Sequence, residues 1–216
     1  MVNWNKIQTV FLDMDGTLLD LHYDNHFWLT HVPQRYAELH DMPLAEAHAD
    51  LSARYQRVVG TIEWYCVDYW TRELALDIER LKADVKHLIG IHPHVTDFLP
   101  ALRGSGKRVT LVTNAHSKSL ALKMQCTGLD HYFDAIICAH ELGMPKEQPG
   151  FWEKLQTLES YDPETTLLVD DSLPVLRSAR TYGIAHLLAV HRPDSKQPEK
   201  NVEEFQAIRS FKDIMP

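Results

Sequence analysis

Asp13 and Asp15, spaced i, i+2 in Asp13-Met-Asp-Gly-Thr17, follow directly on the apolar run Val10-Phe11-Leu12. Such a run reads as a buried parallel strand, and Gly16 supplies the tight turn that takes the backbone away from the sheet edge. Ligands of open α/β sheets bind beyond the carboxyl ends of the strands, so two acids there are placed for chemistry. An Asp-x-Asp-Gly is also an ordinary turn, and the pair needs company to mean more. Three further groups supply it. Leu111-Val-Thr-Asn114 closes another apolar run with a hydroxyl, Lys146 in Gly143-Met-Pro-Lys-Glu147 puts a cation ahead of a helix, and Leu167-Leu-Val-Asp-Asp171 ends a run on two adjacent acids. Singly, Thr113 reads as a hydroxyl bonded to nearby backbone, Lys146 as a solvated loop lysine, and Asp170-Asp171 as a helix cap. Together, four carboxylates in one cleft (Asp13, Asp15, Asp170, Asp171) would repel one another unless a cation neutralised them. A hard divalent ion such as Mg²⁺ does so while keeping waters and a substrate phosphate in its octahedron.

The elements that must position these groups follow from the pattern around them. Strands are expected at residues 10–12, 108–113, 135–138, 166–170 and 185–190, alternating with helices at 95–102, 117–126, 150–159 and 173–182. Five strands alternating with helices imply a Rossmann-like, doubly wound, mainly parallel α/β sheet with right-handed crossovers. Between the first strand and the second the period becomes helical, with helices expected at 24–38, 43–59, 62–76 and 78–89, broken at Pro43, Gly60 and Gly90. Residues 1–20 and 91–216 therefore read as an α/β core domain and residues 21–90 as an inserted α-helical unit. That unit leaves the sheet at the edge that carries Asp13, so it should cover the site. Its aromatics are numerous, including Trp28, Tyr55, Trp64, Tyr65 and Trp70. A last amphipathic stretch is expected at 202–208.

Composition narrows the function. At 216 residues the chain can bury one core plus a smaller appended unit. Cys66, Cys126 and Cys138 contain no CxxC and suit packing in a reducing compartment. Residues 1–6 carry no signal-like pattern and no stretch approaches a membrane span, so a cytoplasmic protein without a membrane partner is expected. A formal charge of −8 disfavours nucleic acid as a partner and leaves small anions as plausible substrates. The pairs His22/His26 and His92/His94 lack a third ligand close in sequence and read as surface or satisfied histidines.

Taken in order along the chain, Asp13-Met-Asp-Gly-Thr17, Thr113-Asn114, Lys146 and Asp170-Asp171 resemble the four motifs of the haloacid dehalogenase (HAD) superfamily in its phosphatase form, and the helical insertion resembles that superfamily's cap domain. The resemblance implies a covalent mechanism. Asp13 is the nucleophile that forms an aspartyl phosphate, and Asp15 is the acid that protonates the leaving alkoxide and then the base that activates water. Thr113 and the Asn114 backbone hold the transferring oxygens, and Lys146 offsets developing charge. Mg²⁺ is held by Asp13, the Asp15 carbonyl and Asp171, with Asp170 adjacent or acting through water. Family ATPases carry Thr where Asp15 stands, so an acid there implies a hydrolase or a mutase. The third motif departs from the frequent Lys-Pro order, since Pro145 precedes Lys146; Lys118 or Lys123 is the alternative.

Asp24-Asn-His-Phe-Trp28, Trp64-Tyr-Cys-Val-Asp-Tyr-Trp70 and Thr113-Asn-Ala-His116 further resemble the superfamily's bacterial purine 5′-nucleotidases, which act on GMP and IMP. That implies a base stacked on cap aromatics such as Trp64 and read by Asn25, Asp68 or His116; the same aromatics serve equally as cap core. A phosphatase or mutase of sugar phosphates or phosphoglycolate, or a non-catalytic interaction module, are the competing readings. Either a monomer or a homodimer is compatible with the sequence.

Overall fold

The structure, a computed structural model, describes residues 2–216, so residue 1 of the expected 1–20 segment lies outside it. Its six strands are β1 (Thr9–Leu12), β2 (Arg108–Thr113), β3 (Ala135–Cys138), β4 (Thr166–Val169), β5 (His186–Val190) and β6 (Ala207–Ile208). All pairings are parallel, in the order β3-β2-β1-β4-β5-β6. The chain lays β2 and β3 on one side of β1 and then crosses to place β4 on the other. A crevice opens at such a reversal, outside the carboxyl ends of β1 and β4.

Burial on both sides explains why β1 reads as an unbroken apolar run. Its side chains alternate between two cores. Val10 and Leu12 join Phe98, Leu99 and Leu102 of the helix Val95–Gly104. Phe11, pointing the other way, meets Phe151, Trp152 and Leu176 from the helices Phe151–Leu155 and Leu173–Tyr182. Register then fixes the neighbours of the site. Leu12 pairs with Val169, so the next residues, Asp13 and Asp170, emerge side by side.

Residues 22–88 are helical and have an apolar cluster of their own, built from residues such as Tyr23, Phe27, Trp70 and Ile78. Several local expectations are corrected here. The helix expected at 24–38 runs from His22 to His40 but passes through a π-helical segment, Phe27–His31, just ahead of Pro33, which has no N–H for the ladder. The helix expected at 62–76 is two, Ile62–Tyr65 and Val67–Leu74, because Cys66 is extended (φ −84°, ψ 111°) and starts the second one. Trp70 Nε1 donates to Trp64 O at 2.9 Å, a carbonyl the break leaves free. The helices expected at 78–89 and 150–159 stop early, at Asp84 and Leu155. Where an amphipathic stretch was expected at 202–208, the two-residue β6 adds a sixth strand. No helix among the described residues is long and apolar enough to cross a membrane.

Candidate active site

The end of β1 is built so that a carboxylate and a sharp turn follow each other. Gly16 has φ +83°, a conformation most side chains avoid, and a Cβ there would stand 2.8 Å from Asp171 Cγ. The turn thus brings backbone against the acid that follows β4, closing a ring of three carboxylates, two buried and Asp171 half-buried. Asp13, Asp170 and Asp171 each offer one oxygen within 4.8 Å of the other two. Lys146 Nζ donates to Asp13 Oδ1 (2.6 Å), Asp170 Oδ2 (2.7 Å) and Val112 O (3.0 Å). Lys200 Nζ donates to the Asp171 carbonyl and lies 3.4 Å from its Oδ2.

Electrostatics sharpen this picture. Burial pushes Asp13, Asp170 and Asp171 up to about 6, against the pull of Lys146 on the first two and of Lys200 on the third. Burial works against the charge of Lys146, and Asp13 and Asp170 more than reverse it, holding the ammonium above its ordinary value. Three carboxylates facing two lysines leave negative charge uncompensated. The donor set is all oxygen, which matches a hard divalent cation.

Asp15 leaves this ring for a second network. Lys123 Nζ bonds Asp15 Oδ1 and Asp24 Oδ2, both at 2.6 Å, and Lys82 Nζ reaches Asp24 Oδ1 at 3.1 Å. Burial raises Asp15 to about 6 in spite of Lys123. Asp24 is also desolvated, but Lys123 and Lys82 outweigh that and hold it below the ordinary carboxylate value. A chain of alternating charge therefore runs from the sheet edge into the helical layer. Lys118 lies elsewhere, on the surface between Asp68 and Glu79, at 2.9 Å from each.

Above the carboxylates is a cavity of about 350 Å³. Asp13, Asp15, Asp170, Asp171 and Lys146 line its floor, and Trp28, Tyr55, Trp64, Tyr65 and Trp70 line the side built by residues 22–88. The aromatics pack edge to face, Tyr55 on Trp64 at 5.8 Å and on Trp70 at 5.1 Å between centroids. Thr113, Asn114, Asn25 and His116 also border it. Thr113 Oγ1 accepts from Ala115 N at 3.0 Å, Asn114 Oδ1 accepts from Lys146 N at 2.9 Å, and Asn25 Nδ2 donates to Asp194 Oδ2 at 2.7 Å. Asp68 does not border the cavity; its carboxylate lies outside, 3.6 Å from His116 Nε2.

Sequence reading passed over four groups that the structure places beside the site. Asp24 stands in the Asp24–Trp28 motif with no role of its own, Lys82 lies within the helix expected at 78–89, and Lys200 lies in the charged stretch that follows His191. Glu147 accepts from the Tyr65 hydroxyl and from Asn114 Nδ2 (2.9 Å), tying the helical layer to the strand ends. The aromatic-then-acid signal of Tyr65 and Glu147 is too common to be read from a single chain.

A family model described as haloacid dehalogenase-like hydrolase matches residues 7–183. GMP/IMP nucleotidase YrfG of Escherichia coli (strain K12) is 36% identical over 215 residues, spanning 100% of this chain and 97% of that protein. Phosphoglycolate phosphatase 1 of Pseudomonas aeruginosa is 26% identical over 143 residues, 66% of this chain and 52% of its own length. Among solved structures, a HAD phosphatase from Thermococcus onnurineus matches with a TM-score of 0.77 at 22% identity over 96% of each chain, a likeness of fold.

Proposed function

The chain belongs to the haloacid dehalogenase-like hydrolases, and from that premise we propose a cytoplasmic, Mg²⁺-dependent phosphomonoesterase that hydrolyses purine nucleoside 5′-monophosphates. The observation that carries this reading is Asp13, fixed at the β1/β4 crevice by Lys146 together with Asp170, beneath an aromatic wall.

Asp13 attacks phosphorus in line while the bond from phosphorus to the ribose 5′-oxygen breaks, giving an aspartyl phosphate. Asp15, desolvated and so able to hold a proton near neutral pH, gives that proton to the leaving 5′-oxygen. The same carboxylate, now ionised, takes a proton from water as it attacks the phosphoryl group, restoring both acids. Lys123 holds Asp15 in place for both transfers. Thr113 and the Asn114 backbone face the transferring oxygens, and Lys146 compensates charge on them. Asp13, Asp170 and Asp171, with the Asp15 carbonyl, would hold Mg²⁺, which when bound neutralises the carboxylates and polarises the phosphate.

Residues 21–90 act in this reading as the cap that closes over the core formed by 1–20 and 91–216. The base stacks against Trp64 and its neighbours, with Asn25 and His116 bordering it. Support comes from the full-length identity to a GMP/IMP nucleotidase and from the aromatic cavity wall, which suits a planar base better than glycolate or a sugar. A phosphoglycolate phosphatase is the second reading, favoured by the Pseudomonas relative. Phosphate release from IMP, GMP, AMP, phosphoglycolate and hexose phosphates at fixed Mg²⁺ tests both. The highest kcat/KM should fall on IMP or GMP; a preference for phosphoglycolate or hexose phosphates would overturn the purine reading, and absence of hydrolysis throughout would favour an interaction module.

A further inference from the structure

Three metal-ligating side chains, none with a part in phosphoryl transfer, meet beside the cavity, which His116 also borders. Cys66 lies at the break between the helices Ile62–Tyr65 and Val67–Leu74. His116 follows β2 and starts the helix Ser117–Thr127, and His140 lies in the short helix Ala139–Leu142 after β3. Cys66 Sγ and one ring nitrogen from each histidine all stand within 4.8 Å of one another. The two imidazoles meet edge to face at 4.8 Å between centroids.

A second, independent observation concerns His140. Its Nε2 is buried and has no hydrogen-bond partner among the described residues, a state that costs stability unless something completes it. Its Nδ1 lies 3.7 Å from Cys138 Sγ, whose thiol donates to Ala115 O at 3.0 Å. With that thiol proton committed, Cys138 sulfur serves as acceptor for Nδ1–H, and the Nε2 lone pair is bare. Fixing one ring nitrogen so that the other can coordinate is how outer partners prepare a metal-binding histidine.

We propose that Cys66, His116 and His140 bind a thiophilic divalent transition metal of the Zn²⁺ class, at a site separate from the Asp13, Asp170 and Asp171 ring. One sulfur and two imidazole nitrogens select such an ion over Mg²⁺ or Ca²⁺, which take oxygen ligands. Binding releases the Cys66 thiol proton to solvent and forms the metal–thiolate bond. Zinc bond lengths place ligand atoms roughly 3.3–3.7 Å apart, so the three atoms need close by no more than about 1.5 Å, a shift that side-chain rotation can supply. The fourth position is left for water or for Asp68, whose carboxylate already lies 3.6 Å from His116 Nε2. Filled, the site bonds the helical layer through Cys66 to the ends of β2 and β3. The consequence for turnover rests on the phosphatase reading: a bond across that junction opposes cap opening, so the metal slows hydrolysis.

The test titrates the full-length chain with Co²⁺ and then Zn²⁺ in excess Mg²⁺, following thiolate-to-cobalt charge-transfer absorption, with phosphate release measured in parallel. One equivalent of cobalt should give the charge-transfer band and tetrahedral visible bands, and zinc should displace it. Cys66→Ser should abolish the band, and His140→Gln should weaken zinc binding by about 100-fold or more, beyond what outer-partner loss costs. Unchanged thermal unfolding of metal-free Cys66→Ser shows that the loss is one of binding. No charge-transfer band, or zinc affinity unaltered in both variants, would overturn the site whatever the activity. Zinc binding with full turnover would overturn only the brake on opening. Lack of turnover without zinc speaks to the phosphatase reading and leaves the binding result intact.

Discussion

The floor and the wall of the cavity are made by opposite means. The floor consists of charged groups at the ends of strands whose neighbours are fully buried; Asp13, Asp170 and Asp15 are each held by a lysine at 2.6–2.7 Å, and Asp171 lies 3.4 Å from Lys200. Apart from Tyr55, on the helix Leu44–Val58, the wall's aromatic rings stand on helices that are short or interrupted, by the π segment at Phe27–His31 and the break at Cys66. A carboxylate displaced by an ångström loses its reaction geometry, whereas aromatic faces accept planar partners over a range of positions. On the reading proposed above, the chemistry is set in the strand-end floor, and selection is left to the helical wall.

Substitutions can break or sharpen this contrast. Asp13→Asn should have the largest effect, lowering kcat for IMP by about 10⁴-fold or more, as losses of a nucleophile do; substantial turnover in single-turnover assays would remove Asp13 from the chemistry. Next comes Asp24→Asn, which leaves the buried Lys82 without its carboxylate and Lys123 with Asp15 alone, and should cost about 3–5 kcal/mol in denaturant unfolding. Its pH dependence has a definite sign. Asp24 is held below its ordinary 3.8 in the folded chain, so its contribution is complete above that value and is lost as pH falls below it. The variant should accordingly show a flatter acid limb of stability; an unchanged limb would place the acid sensitivity elsewhere.

Gly16→Ala probes the stiff floor at smaller cost. The positive φ alone is worth about 1–2 kcal/mol, and the new methyl displaces Asp171, so the Mg²⁺ concentration for half-maximal activity should rise. Trp64→Ala tests the wall. Loss of one stacking face, about 1–3 kcal/mol, should raise KM for IMP roughly 5–100-fold while leaving p-nitrophenyl phosphate turnover nearly unchanged. Equal losses on both substrates would make Trp64 a packing residue.

The contrast also explains what the sequence made legible. Strand runs such as Val10-Phe11-Leu12 are buried on both faces and end at abrupt polar punctuation, so β1, β2 and β4 and the polar groups at their ends are visible in one dimension. The break at Cys66 carries no Gly or Pro, and the helix restarts on a thiol that accepts from Tyr69 N. Lys82 looks like any solvent-facing lysine of an amphipathic helix, and only tertiary packing shows it 4% exposed against Asp24. Asp68 belongs to the Trp64–Trp70 motif of the resemblance, but Val67 and Trp70 of that helix line the cavity and Asp68 does not. β6 is too short to show a period. What a neighbour several dozen residues away decides, local pattern cannot display.

The register that sets Asp13 beside Asp170 has a cost in time. β1 is synthesised first yet pairs only with β2 and β4, whose partners begin at Arg108 and Thr166. Until those segments leave the ribosome, a mostly apolar strand waits with both edges open, a state prone to wrong pairing. Long-range parallel pairing is also slow. On the reading proposed above, a nascent chain that stops short of Asp170 lacks two of the four site carboxylates and should stay inert until the strand beside β1 has been made.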